Sequence, residues 1–245
     1  MSEILKSPSF GPPPRIGDFL NKQSKKEKTS AASIEESFRN YLTGAYQRFC
    51  IINVLAFPNQ QILIQEIYQP LSLTSNGGYR TFKLNIFDKT HLKQFERILV
   101  SDTGGMGKST LMKWIGASTI EQKSSIPILI ELKKITKTHK IINEICHQFG
   151  DIFGDFDKDI ITRLISQGEF LFLLDGFDEI RDEFKEAAIT DIKSFVGKSS
   201  ENSFIMTSRP ESSLAAFGDF QRFNINPLSI NESFELIRKY DSVNV

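Results

Sequence analysis

Ser101-Asp102-Thr103-Gly104-Gly105-Met106-Gly107-Lys108-Ser109-Thr110 is the stretch that decides the fold. An apolar run, Ile98-Leu99-Val100, precedes it, and a helix-forming run, Leu111-Met112-Lys113-Trp114-Ile115, follows. Strand, glycine-rich loop and helix in that order, with Gly-Lys-Ser at the junction, is the pattern of a phosphate-cradling loop. Glycines let backbone N–H groups approach an anion closely, and the helix start adds unpaired donors and the positive end of its dipole. The candidate nucleotide-binding residues are therefore Thr103, Gly104, Gly105, Met106, Gly107, Lys108, Ser109 and Thr110. Lys108 is suited to the outer phosphates and the Ser109 hydroxyl to Mg²⁺. One position departs from the usual spacing G-x-x-x-x-G-K-[ST]: Asp102 stands where the first glycine belongs. Aspartate at a loop start tolerates left-handed backbone and can bond its own backbone, but it also sets an acid near the phosphates. The competing reading is a chance glycine-rich turn before an ordinary helix.

A second motif supports the first. Phe170-Leu171-Phe172-Leu173-Leu174 is a continuous apolar strand that delivers Asp175 at its carboxyl end, where open α/β sheets bind ligands. Asp175 is thus the second candidate Mg²⁺ residue, beside Ser109. Gly176 permits a sharp turn, after which Asp178 and Glu179 bring further carboxylates to the same rim. Either can orient or deprotonate an attacking water; alternatively both merely favour the dipole at the next helix start. In the third motif, Phe204-Ile205-Met206-Thr207-Ser208-Arg209-Pro210, another apolar strand ends on an arginine whose guanidinium matches a terminal phosphate. Asp178, Glu179 and Arg209 are the candidate catalytic residues.

Around these motifs the chain alternates between strand-like and helix-like segments. Strands are expected at Arg97–Ser101, Ile126–Leu132, Phe170–Asp175, Ser203–Thr207 and Gln221–Ile225. Helices are expected at 108–117, Lys140–Phe149, Asp157–Ser166, Glu179–Val196 and Ser229–Tyr240. Continuous apolar strands between helices predict an α/β fold with a parallel sheet covered on both faces. Residues 1–30, with four prolines and then a polar lysine-rich stretch, read as a disordered tail. Residues 31–95 read as a small α+β leader, opening with a helix over 33–48 capped by Ser33. Residues 96–228 form the core, and 229–245 begin a helical module.

Composition narrows the function classes. With 30 basic and 30 acidic residues the chain is neutral, which argues against a nucleic-acid partner. Cys50 and Cys146 read as buried small hydrophobes in a reducing compartment, not as a disulfide framework. No apolar run approaches a membrane span, and the N-terminus lacks a signal-peptide core, so a cytoplasmic location is expected. His91, His139 and His147 are scattered, and Trp114 is expected to pack rather than stack on a base.

The three motifs together resemble the NACHT family of STAND-class NTPases. The Asp175-Gly176-Phe177-Asp178-Glu179 signature is the most specific part, Thr207-Ser208-Arg209-Pro210 is similar to the family's sensor segment, and Ile67-Tyr68-Gln69-Pro70-Leu71 is similar to its lead-in. The resemblance covers roughly residues 65 to 240. It implies a P-loop NTPase with a five-stranded parallel sheet that binds ATP or ADP with Mg²⁺. It implies Lys108 on phosphates, Ser109 and Asp175 on Mg²⁺, Asp178 or Glu179 at the water, and Arg209 at the terminal phosphate. Members act as slow ATPase switches whose nucleotide state controls oligomerisation, many in innate immunity, including antiviral defence against phage. The expected partners are nucleotide and either further copies of the chain or a partner protein. The chain ends where the family's regulatory modules follow, so it is expected to be a fragment or a minimal member. A non-hydrolysing scaffold working with a partner chain is the alternative. A GTPase fits less well, because Thr136-Lys137-Thr138-His139 lacks the acid a guanine-reading motif needs.

Overall fold

The apolar runs of the second half do pair as strands of one sheet. In a computed structural model the described residues are 31–53, 60–87, 95–153 and 158–243, with residues 17, 18, 22 and 90 besides. The expected tail falls outside them, apart from residues 17, 18 and 22, which are helical. Five strands run parallel: β5 (Arg97–Ser101), β6 (Ile126–Glu131), β7 (Phe170–Asp175), β8 (Ser203–Ser208) and β9 (Gln221–Ile225). Their spatial order is β9-β5-β8-β7-β6. The strand that leads to Arg209, β8, therefore lies between the strand that feeds the glycine-rich loop and the strand that ends in Asp175.

The leader contributes more than a lead-in. Strands β3 (Ser72–Ser75) and β4 (Thr81–Lys83) form a hairpin, and β3 joins β9 antiparallel, with Leu73 opposite Ile225. Among the described residues the central sheet thus has seven strands, five of them the parallel set. The hairpin turns through Gly77 and Gly78, whose φ values of 96° and 76° suit glycine. A separate pair, β1 (Ile51–Ile52) and β2 (Ile62–Leu63), leads into a single helical turn, α2 (Ile64–Ile67).

The first helix, α1, spans Ala31–Cys50, so Ser33 lies within it and is not its cap. It packs on α3 (Lys108–Glu121) and α4 (Ile141–Phe153) through Phe38, Tyr41, Ala45 and Phe49, all buried. Tyr41 stacks on Phe149 at 4.7 Å and donates its hydroxyl to the Pro127 carbonyl at 3.2 Å. Leader and core share one hydrophobic core. At the crossing of α1 and α3, Gly116 leaves room for the Phe49 ring: a Cβ built there would lie 2.4 Å from Phe49 Cε1. Gly116→Ala is expected to cost about 1–3 kcal/mol by overpacking. In a thermal melt that is a drop of several degrees, whereas Gly197→Ala, which meets nothing within 4 Å, should melt no lower than the parent. An unchanged midpoint for Gly116→Ala would contradict this packing.

Helices α5 (Lys158–Ile165), α6 (Asp182–Lys198) and α7 (Ile230–Val243) lie between and after the later strands. The expected helix over Glu179–Val196 starts later, at Asp182, because Phe177–Glu179 forms its own 3₁₀ turn. Cys50 is buried as expected, whereas Cys146 is only partly so. Trp114 packs: it stacks on Tyr68 at 4.1 Å. His139 contacts the buried Glu144 at 3.1 Å, and His91 lies outside the described residues. Among the described residues, no helix is long and apolar enough to cross a membrane.

Candidate nucleotide site

Parallel strands all deliver their carboxyl ends to one edge, and there the three motifs meet. Ser101 pairs with Ser208 and Leu174 with Met206, so the glycine-rich loop, Asp175 and Arg209 emerge side by side. They line a cleft of about 540 Å³ with Lys108, Ser109, Thr110, Asp178, Glu179 and Thr207 among its walls. Gly104, Gly105 and Gly107 line it too, and Thr103 sits exposed at the loop's start. Met106 faces away, packing against the core.

The loop's backbone explains its glycines. Gly105 and Gly107 have φ of 83° and 81°, in the left-handed region, and Gly107 caps α3. Asp102 does not take that conformation, so its position needs no glycine. Its carboxylate instead accepts the N–H of Thr103 at 2.8 Å through one oxygen and that of Ile225 at 2.9 Å through the other. It therefore ties the loop to the end of β9. Asp102→Ala, or Asp102→Gly, which restores the usual residue, leaves the Ile225 N–H without its acceptor. Each is expected to lose about 1–3 kcal/mol of stability in denaturant titration. An Asp102→Gly chain as stable as the parent would contradict the tie.

Lys108 donates to the carbonyls of Asp102 and Thr103, at 2.6 and 2.7 Å. Burial lowers its pKa below the ordinary lysine value; Asp178, Asp102 and Asp175 oppose that shift and Arg209 adds to it. On β7, Asp175 accepts a short bond from the Thr207 hydroxyl, which also accepts the Gly176 N–H at 3.0 Å. Thr207 thus orients the acid, and it does so across two strands, which no spacing in the sequence marks. Gly176, at φ 76°, opens the 3₁₀ turn and sends its two acids different ways. Asp178 takes the Arg209 backbone N–H at 2.8 Å and its Nε at 3.2 Å. Glu179 keeps a half-exposed carboxylate, 4.0 Å from Lys133. The helix α6 carries two acids of its own in its first turn, Asp182 and Glu183.

Asp175, Asp178 and Glu179 do not converge as a metal cage, and among the described residues no group of three or more His, Cys, Asp or Glu could hold a metal ion. Mg²⁺ asks for less. It takes one or two protein oxygens and completes its shell with water and phosphate. The Ser109 hydroxyl and the Asp175 carboxylate, which line the same cleft, fit that donor set.

A second, more apolar cleft of about 400 Å³ adjoins the first through Gly105, Gly107, Thr110 and Tyr240. Its walls come from the lead-in (Ile67, Tyr68, Leu71), from Met106 and from Pro227, Leu228 and Leu236. Tyr240, on α7, faces both clefts, and no local pattern in the sequence marks it.

The family model of the NACHT domain matches residues 96–244, most of the chain. The chain belongs to the NACHT-domain family. It carries this family's nucleotide-binding P-loop NTPase core. No curated protein matches it. Among solved structures it is similar to PCH-2 of C. elegans, at 15% identity and TM-score 0.38, over 56% of this chain and 37% of that one. It is also similar to the RuvB Holliday junction branch migration motor of Thermotoga maritima, at 14% identity and TM-score 0.36, over 63% of this chain and 46% of that one. The chain spans under half the length of each of these two structures.

Proposed function

We propose that this NACHT chain is a slow cytoplasmic ATPase switch whose nucleotide state controls oligomerisation, acting in innate immune or antiphage defence. The observation that carries the ATPase reading is the meeting of Lys108, Asp175, Glu179 and the Asp178–Arg209 pair on one cleft at the sheet's carboxyl edge. Lys108 neutralises the outer phosphates, together with the N–H groups of Gly104–Thr110. Ser109 and Asp175 would hold Mg²⁺, which draws charge from the phosphate oxygens. Asp178 aims Arg209 at the terminal phosphate. Glu179, whose half-exposed carboxylate lines the cleft 4.0 Å from Lys133, orients the attacking water. The apolar cleft suits a flat heteroaromatic base, held between the lead-in and α7.

The defence role and the cytoplasmic location rest on the family resemblance. Oligomerisation rests on it too, together with the apolar residues that α7 exposes, Ile230, Phe234 and Ile237. That stripe equally suits a scaffold that assembles without hydrolysis. Particle size measured with Mg²⁺ and either ADP or a non-hydrolysable ATP analogue separates the two. A size that rises with the triphosphate only is the expected result; the same size in both states would favour the scaffold.

A further inference from the structure

Lys185 lies on the first turn of α6 and lines neither cleft, yet it touches the second motif at Phe177 and the residue just after the third, Glu211. Its Nζ donates to the Phe177 carbonyl at 2.9 Å and to the Glu211 carboxylate at 3.1 Å. It also sits 4.5 Å from the centre of the Phe177 ring. The Phe177 carbonyl closes the 3₁₀ turn that carries Asp178 and Glu179, since it accepts the Ile180 N–H as well. Glu211 follows Arg209 by two residues. Its other oxygen is engaged by the Ser213 hydroxyl.

The contacts close a ring. From Phe177 the chain leads to Asp178, which holds Arg209 by two bonds; the chain then continues through Pro210 to Glu211, and Lys185 joins Glu211 back to Phe177. Proline stiffens the arm between Arg209 and Glu211. The lysine adds a second charged tie between the two arms beside the Asp178–Arg209 pair, and its side chain is only 15% exposed, so water screens the contact little. The Phe177 ring beneath it is itself fixed, fully buried and edge-on to Phe217 at 5.3 Å.

We propose that Lys185 is a positioning residue that locks the Asp178–Glu179 turn and the Arg209 segment in one mutual geometry. Without it, the carboxylate at the water and the guanidinium at the terminal phosphate can each be in place while their relation is not. This rests on the ATPase reading for its consequence in turnover, though not for the geometry itself.

The test compares Lys185→Met, which keeps the stem and removes the charge, with Lys185→Arg, which keeps the charge. In Lys185→Met, turnover of Mg²⁺-ATP should fall on the order of tenfold, with affinity for Mg²⁺-ADP within about twofold of the parent. Amide exchange at Arg209 and Glu179 should quicken by a similar factor while β7 and β8 stay protected, and Lys185→Arg should restore most of both readouts. Unchanged exchange at Arg209 in Lys185→Met would overturn the proposal. So would exchange that rises evenly across β7 and β8, the mark of a merely structural role. A parent chain that binds nucleotide without turning it over refutes the ATPase reading instead, and the exchange at Arg209 then decides the positioning role alone.

Discussion

Lys108→Met lowers the affinity of the chain for Mg²⁺-ATP by on the order of 100-fold, the expected result of deleting charge-assisted bonds worth about 3 kcal/mol. The ammonium sits at the mouth of the loop, held by the Asp102 and Thr103 carbonyls and faced by the carboxylates of Asp178, Asp102 and Asp175. Those contacts fix where it stands but supply no counter-charge as dense as a phosphate chain. Removing it also leaves the surrounding acids without their nearest cation on the loop, which raises the local negative field that a nucleotide must enter. Lys113, five residues on in the same helix, provides the control. It is likewise partly buried, with a pKa lowered first by burial, but it donates to the Ile51 carbonyl at 2.8 Å. Lys113→Met should disturb the α3–β1 contact and leave nucleotide affinity within a few-fold. Calorimetry on both variants checks this; equal losses would mean that Lys108 acts through folding.

Glu179→Gln abolishes most turnover, by about 10²–10⁴-fold, while nucleotide affinity changes little. The amide keeps the size of the side chain and removes the base. Asp178→Asn behaves differently, because Asp178 is bound to Arg209 through its backbone N–H and its guanidinium. An asparagine still accepts the N–H but loses the ion pair, so Arg209 swings more freely. The expected signature is a reduced preference for ATP over ADP together with a smaller loss in kcat. Single-turnover hydrolysis and separate binding titrations for the two variants decide the matter. A larger loss of turnover in Asp178→Asn than in Glu179→Gln would exchange the two roles.

Those roles illustrate where the sequence stops being legible. Asp175 was readable because an apolar strand ending in acid has one place to put that acid in a parallel sheet. The place of Lys108 and Ser109, at the start of α3 on the cleft, is legible because the strand–loop–helix pattern is local. Asp178 and Glu179 were legible as a pair but not as individuals: adjacent in sequence, they diverge only because Gly176 adopts left-handed backbone and a 3₁₀ turn precedes the helix. Asp102 looked like a flaw in the loop, since its second partner, the Ile225 N–H, lies 123 residues away and on the backbone. Nothing in a sequence marks a backbone donor as waiting for a carboxylate. The leader hairpin was missed for a related reason. Ser72-Leu73-Thr74-Ser75 is short and polar, and its strand character comes from pairing with β9, not from its own pattern. Tyr240 and Lys185 have no motif at all; each is informative only through what the fold sets beside it.

Every role proposed above requires that the cleft at the carboxyl edge of this sheet bind a nucleotide. A calorimetric titration of the chain with Mg²⁺-ATP, repeated with Mg²⁺-ADP, tests it most directly. The expected result is saturable binding of one nucleotide per chain, weakened when Mg²⁺ is chelated. No heat of binding for either nucleotide at millimolar concentration, from a chain that melts cooperatively, would contradict it.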